Sequence, residues 1–331
     1  MTVRRLAAGA ALVLVVLLVL TPWLGLRWYH RALAPAGAGE ERLFRVQSGE
    51  SARAVGERLA AEGVVRSAAA FRLRARSRHA TLRAGTYVVA PSMAADDLLA
   101  MFAAGRTAER KVTFPEGFGL RQCAERAEKA GICAADSYLE AATVASADSA
   151  DLGLPARASL EGFLFPDTYI VEPPTSAAGL VAQQRKRFDE VWRALDGDRL
   201  LAGRTKLAVV TVASLVEREA RGDDERARIA GVIANRLRRG MRLQIDATVL
   251  YALGYHKSRV TYQDLKVDSP YNTYRVKGLP PGPICCPGKP SLQAALQPEK
   301  HDYLFYVLGP GNRHIFTRTE AEHNRAKGAA R

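Results

Sequence analysis

The alternation of hydrophobic and polar positions changes character several times along this chain, and each change predicts a different element. Residues 6–26 carry no charge and are apolar apart from glycine and the Thr21-Pro22 pair. About twenty such residues cross a bilayer as a helix, so the run predicts a membrane anchor. Arg4 and Arg5 precede it and Arg27 and Arg31 follow it, which leaves only a weak orientation signal. A cleaved signal peptide is the rival reading; the length of the apolar run favours an uncleaved anchor, with the bulk of the chain outside the cytoplasm. Residues 35–42, rich in Ala, Gly and Pro, read as a linker. Leu43-Phe44-Arg45-Val46 alternates as a strand does. Ser51 to Val65 has helical spacing through Val55, Leu59 and Ala60, and Ala68 to Arg76 reads as a second short helix. Gly85 to Val89 is a strand, and Ser92 is expected to cap a helix that carries Leu98, Leu99 and Phe102 and ends at Gly105.

Val112-Thr113-Phe114 predicts a further strand, and residues 120–200 read as mostly helical. An aromatic interruption, Gly162-Phe163-Leu164-Phe165-Pro166-Asp167 with Tyr169 behind it, reads as core rather than as a sugar-stacking surface. Leu207 to Val216 is almost wholly apolar and predicts a buried helix, stopped by Gly222. Asp223 is expected to cap the next helix, whose Ile229, Ile233 and Leu237 form one stripe and which Gly240 stops. Asp246 is expected to cap a short helix through Val249 and Leu250, and Thr261-Tyr262-Gln263-Asp264 reads as a capping box. Ser291 to Leu296 predicts one more short helix. Tyr303 to Leu308, a Gly-Pro-Gly-Asn turn and His314 to Thr317 make a hairpin. The predicted fold class is α+β: an N-terminal transmembrane helix, a small α+β subdomain, then a mainly helical domain with a C-terminal β-hairpin. The expected division is residues 1–30 as cytoplasmic tip and anchor, 31–42 as linker, 43–110 as the small subdomain and 111–331 as the domain that carries the chemistry.

A length of 331 residues accommodates an anchor and about two domains. The net charge of +14, densest at Arg236, Arg238, Arg239 and Arg242, predicts an anionic partner. No helix-turn-helix, RNA-recognition or zinc-finger spacing is present, so nucleic acid is set aside. Of the four cysteines, Cys123 and Cys133 could pair or stay as buried thiols, while the adjacent Cys285 and Cys286 are expected to be free. No cysteine spacing suits zinc, and phosphate-binding, dinucleotide and nucleophile-elbow motifs are absent, so neither metal nor organic cofactor is expected.

Glu217-Arg218-Glu219 ends the apolar helix. A carboxyl against an apolar stripe holds its proton more tightly, as a general acid at neutral pH must. The two glutamates lie about 200° apart around a helix. Glu219 follows Val212, Leu215 and Val216 at helical spacing, whereas Glu217 follows Val210, Ala213 and Ser214 and can pair with Arg221 one turn on. Asp223, four residues beyond Glu219, is expected to push its pKa up. Glu219 is therefore the better acid, against the plainer reading of both as solvated charges at a helix end.

Ala213-Ser214-Leu215-Val216-Glu217-Arg218-Glu219 resembles the catalytic helix of the YceG-like family, the endolytic murein transglycosylases. The resemblance continues through Val232 to Leu237, Gly240 to Val249, Tyr271-Asn272-Thr273-Tyr274, Gly278 to Ile284 and His323-Asn324. Upstream it takes in Phe114 to Gly117 and Glu161 to Tyr169, and so covers most of residues 43–325. Cys285-Cys286 departs from the small residues common in the family motif, which puts the local loop shape in doubt. The resemblance implies that Glu219 is the catalytic acid/base, that residues 43–110 are a LysM-like peptidoglycan-binding unit, and that glycan strands are cut without water to 1,6-anhydro ends. It also implies a single-pass inner-membrane protein acting outside the cytoplasm beside peptidoglycan synthases, so ending strand elongation. Asn235, Gln244, Tyr271, Asn272 and Thr273 are the expected substrate contacts. Asp246 stands between a helix cap and a substrate contact, or the base of a hydrolase; Tyr274 is expected in the core, and the prolines at 280–283 are expected to wall the cleft.

Overall fold

The computed structural model describes the backbone at residues 2–143, 152–155, 158–255, 257 and 260–329, and side chains from residue 16 onward except residue 17. Most of the apolar run at 6–26 therefore lies outside the described side chains. Its backbone belongs to helix α1, Thr2–Leu33. Among the described residues no helix is long and apolar enough to cross a membrane.

Two compact units follow from the contacts: residues 1–110 with 172–174, and residues 111–171 with 175–331. In the first, β1 (Arg42–Val46) pairs antiparallel with β2 (Gly85–Val89), register Arg42↔Val89 to Val46↔Gly85. Strand alternation turns Phe44 and Val46 inward against Tyr87 and Val89. Helices α2 (Ala52–Ala61), α3 (Ala68–Ser77) and α4 (Ala95–Ala104) cover that face with Val55, Leu59, Phe71, Leu98, Leu99 and Phe102. Ser51 and Ser67 cap α2 and α3 by accepting from Ala54 N and Ala70 N. Ser92 does not cap α4: its N-cap is Ala94, without a side-chain bond, and Asp96 and Asp97 in the first turn meet the helix dipole instead. Residues 35–42 are not a free tether. Arg66 Nε donates to Pro35 O at 2.8 Å and Gly37 N to Pro91 O at 3.1 Å, and Ala32 and Leu33 are buried in this unit's core.

In the second unit, β3 (Arg110–Thr113) pairs with β4 (Thr168–Val171), a strand inside the stretch read as helical. Helices α5 (Leu120–Lys129), α6 (Ala135–Ala141) and α7 (Ala177–Ala194) surround a core of Phe114, Tyr138, Phe163, Phe188 and Trp192. The aromatic interruption is core: Phe163 and Leu164 are fully buried. Helix α8 (Lys206–Glu219), capped by Thr205, is buried along Val209 to Val216 and packs on α9 (Asp223–Arg238), α10 (Asp246–Leu253) and α11 (Lys289–Leu296). It stops at Glu219, where Ala220 turns extended, two residues before Gly222. The hairpin β5 (Phe305–Leu308) and β6 (His314–Thr317) and helix α12 (Glu320–Ala329) close the chain. Overall the fold is α+β with a C-terminal hairpin. All four cysteines are free, so Cys123 and Cys133 do not pair.

Candidate active site

The second unit opens a cleft of about 910 Å³ whose floor is the end of α8. Glu219 is half-buried there, because α8 stops at it and the chain turns away before another helical turn can cover it. Its Oε2 accepts from the Tyr306 hydroxyl at 2.9 Å. Its Oε1 has no hydrogen-bond partner among the described residues. Burial pushes the Glu219 carboxyl above the ordinary glutamate range; the Tyr306 hydrogen bond pulls against it, and the charge of Asp246 adds to the rise. The neighbour that raises it is thus Asp246, not Asp223, which pairs with Arg226 at 3.0 Å.

Glu217, on the opposite face, is committed to structure. Its Oε1 meets Arg226 at 3.3 Å and its Oε2 accepts from Gly288 N at 3.0 Å. The expected pair with Arg221 is replaced because Arg226 reaches Glu217 from inside the fold and bonds Ser291 as well.

Gln244 and Asp246 line the cleft with Glu219. Gln244 adopts a left-handed backbone, φ 53°, fixed by its N–H donating to Thr273 O at 3.1 Å. Asp246 does not cap α10 through its side chain; the N-cap is Ile245. Its Oδ1 accepts from the Tyr274 hydroxyl at 2.6 Å, and Tyr274 lines the cleft rather than the core.

The other expected contacts lie off the cleft wall. Asn235 is buried and its amide donates to His301 O and Tyr303 O, both at 2.8 Å, which ties α9 to the segment before the hairpin. Asn272 donates to Leu265 O and Val267 O, and Thr273 Oγ1 accepts from Ile245 N at 3.0 Å, so these two hold the loops that place Gln244 and Asp246. Tyr271 packs on Tyr251, ring centroids 4.7 Å apart.

Four further residues build the site. On β5 and β6 alternate residues share a face, so Tyr306 stands beside His314 with ring centroids 5.2 Å apart. Glu225 of α9 grips His314 twice, at 2.7 Å to its N–H and 2.8 Å to Nδ1. Arg236, expected on a basic surface, is buried and donates to Leu304 O at 2.6 Å and Leu243 O at 2.7 Å, linking the hairpin to the Gln244 loop. The hairpin's alternation was the one sequence signal for Tyr306; its partner on α8 lies 87 residues away and gives no local sign. His323 and Asn324 also line the cleft. Among the described residues no three His, Cys, Asp or Glu side chains converge as metal ligands.

The YceG-like family matches residues 44–329, a span that holds every residue of the cleft.

The chain belongs to the YceG-like family.

It is 34% identical over 304 residues to an endolytic murein transglycosylase of Bacillus subtilis, covering 86% of this chain and 83% of the relative. An endolytic murein transglycosylase of Streptococcus pneumoniae is 29% identical over 96% of this chain, which spans 65% of that longer relative. A solved structure of a yceG-like protein from Listeria monocytogenes superposes with a TM-score of 0.61 at 35% identity, covering 86% of this chain and 98% of the other.

Proposed function

We propose that this chain is an endolytic murein transglycosylase in which Glu219 serves as both acid and base. The observation that carries this is Glu219 itself: a half-buried carboxyl on a cleft floor, held toward its protonated form, with one oxygen bonded to Tyr306 and the other open. The names of the Bacillus and Streptococcus relatives support the reaction class.

Protonated Glu219 gives its proton to the glycosidic oxygen between N-acetylmuramic acid and N-acetylglucosamine. The C1–O bond breaks and the sugar becomes oxocarbenium-like. The C6 hydroxyl of the same sugar closes onto C1, and ionised Glu219 takes its proton. Atoms balance without water, and Glu219 returns to its starting state. A hydroxyl within the same sugar is already positioned, which supplies much of the rate. Asp246, held by Tyr274, is the cleft carboxylate whose charge reaches Glu219, and it would offset positive charge developing at C1. Gln244 is the direct polar contact. Asn235, Tyr271, Asn272 and Thr273 act by positioning, not by touching substrate.

The apolar run at 6–26 supports a single-pass anchor in the plasma membrane, with the chain from residue 31 onward outside the cytoplasm. Residues 43–110 serve as a LysM-like unit that binds peptidoglycan, and cutting beside the membrane would act on nascent strands near their synthases.

The test digests purified peptidoglycan with the full chain in detergent and with Glu219→Gln, reading products by mass. Anhydro-ended fragments, reduced at least about 100-fold in the variant, are expected. Products heavier by one water would replace this reading with a hydrolase that uses Asp246. Anhydro products undiminished in the variant would remove Glu219 from the chemistry.

A further inference from the structure

The first unit carries a basic face that peptidoglycan cleavage does not use. Helix α3 presents Ala69, Arg72, Leu73, Arg76 and Ser77 outward, at spacings of three and four, on one stripe. Leu73 is 55% exposed, high for a leucine flanked on its own face by arginines. Arg72 and Arg76 make no ion pair among the described residues. Just past the helix, Arg78, His79 and Arg83 line a second cleft of about 500 Å³, closed on its other side by Leu99, Ala100 and Ala103 of α4. Arginine heads around an apolar patch are the pattern of a surface that sits at a lipid interface, with charges on the headgroups and leucine below them.

Where this face lies relative to α1 decides what covers it. Arg66, just before α3, bonds Pro35 O, just after α1. Arg74, two turns on, lies beside Tyr29. As α3 advances from 66 to 74, its neighbours on α1 therefore run back from 35 to 29. The two helices are antiparallel, and the C-terminal end of α3 points toward the apolar run that ends at residue 26. On α1 the same level carries exposed Trp28, Arg27 and Arg31, the aromatic and basic residues typical of a membrane–water boundary. Since Ala32 and Leu33 are packed into the unit's core, α3 is held at this height and does not swing on a tether.

We propose that the C-terminal half of α3, with Arg72, Leu73 and Arg76 and the adjoining cleft at Arg78 and Arg83, docks on the anionic phospholipid headgroups of the bilayer that α1 enters. This rests on the anchor proposed above. Charge complementarity names the occupant: a surface of phosphodiesters matches five arginines, Arg72, Arg76, Arg78, Arg83 and Arg31, of which Asp96 offsets Arg78. Docking would fix the first unit against the membrane and so set the height at which strands are held.

The test places the full chain in nanodiscs of phosphatidylcholine alone or with phosphatidylglycerol, and follows amide hydrogen exchange. Alkaline extraction of the same chain from membranes reports the anchor separately. On anionic discs, amides of residues 72–84 should exchange about tenfold more slowly than on neutral discs. Arg72→Glu with Arg76→Glu should abolish that difference while β1–β2 amides stay protected, which shows the fold intact. Equal exchange on both discs, with the chain firmly inserted, overturns the headgroup contact and leaves the anchor. A chain extracted by alkali overturns both. Equal protection by soluble polyphosphate without discs would assign the face to a phosphate polymer and overturn the lipid assignment.

Discussion

Two glutamates sit two residues apart on α8, and their fates diverge because of what each meets. Glu217 finds Arg226 and Gly288 N, so both of its oxygens are bonded within the fold. Glu219 finds an open cleft and one hydroxyl. The helical face to which each belongs was legible in the sequence, since it follows from 3.6-residue periodicity alone. The partners were not, because Arg226 and Tyr306 arrive from elements 9 and 87 residues away. Tyr306 gives a prediction with a definite sign. Its hydroxyl donates to the Glu219 carboxyl, which favours the ionised form. Tyr306→Phe removes that donor, the largest effect set against burial, and leaves only the weaker pull of His314 and Arg221, so the Glu219 pKa rises further. The acid form then persists to higher pH, and the alkaline limb of the pH–rate profile for release of anhydro fragments should move upward. A limb that stays in place, or moves down, would show that Tyr306 does not bond the carboxylate.

At the scale of elements, the helices were legible from their spacing, but most of their caps were not. Thr261 with Asp264 forms the expected reciprocal box, whereas Ser51, Ser67 and Thr205, not singled out by the sequence pattern, are the residues that cap their helices. Asp223 and Asp246 stand at the same kind of position but spend their carboxylates on Arg226 and on Tyr274, the second 28 residues away. Strand β4 escaped notice because four residues pairing with a strand 55 positions upstream leave no periodic trace. The hairpin was legible as a hairpin, but not as the element that delivers Tyr306 to α8. That delivery depends on Glu225, whose carboxyl is 3% exposed and lies against His314. Burial opposes its charge, yet the side-chain and backbone hydrogen bonds of His314 outweigh burial and hold it below the ordinary value of 4.5. A depressed carboxylate stabilises the fold above its unfolded pKa, and that stabilisation is lost as pH falls through the folded pKa. Urea unfolding should therefore show wild-type stability falling as pH drops below about 4.5. Glu225→Gln should be less stable at pH 7 by roughly 2 kcal/mol and flatter across the acid window. An equal acid slope in both proteins would mean that Glu225 is not the group responsible.

Across the whole molecule, the charge of +14 misleads if read as surface alone. Arg204 caps the end of α11 through Ala295 O and Leu296 O, and Arg226 and Arg236 are internal struts. The division at the N-terminus was similarly blurred, because composition marks residues 31–42 as linker while packing ties them to the first unit. Ala32 and Leu33 enter that unit's core, and Pro35 and Gly37 are bonded to Arg66 and Pro91. Where the chain is cut should therefore decide the stability of the first unit. A chain beginning at residue 28 keeps Tyr29, Ala32, Leu33 and both hydrogen bonds. A chain beginning at residue 40 loses them all. Burying one leucine contributes about 2 kcal/mol, and two hydrogen bonds about 1 kcal/mol each, so the shorter chain should lose roughly 3–4 kcal/mol. Native-state hydrogen exchange at β1 and β2 would read that loss directly, with the protection of α8 as an internal control. Cleavage of soluble strands should be unchanged in both, since every cleft residue lies in the second unit. Equal protection of β1 and β2 in the two truncated chains would mean that the end of α1 adds nothing to the first unit, and that residues 31–42 behave as the linker their composition suggests.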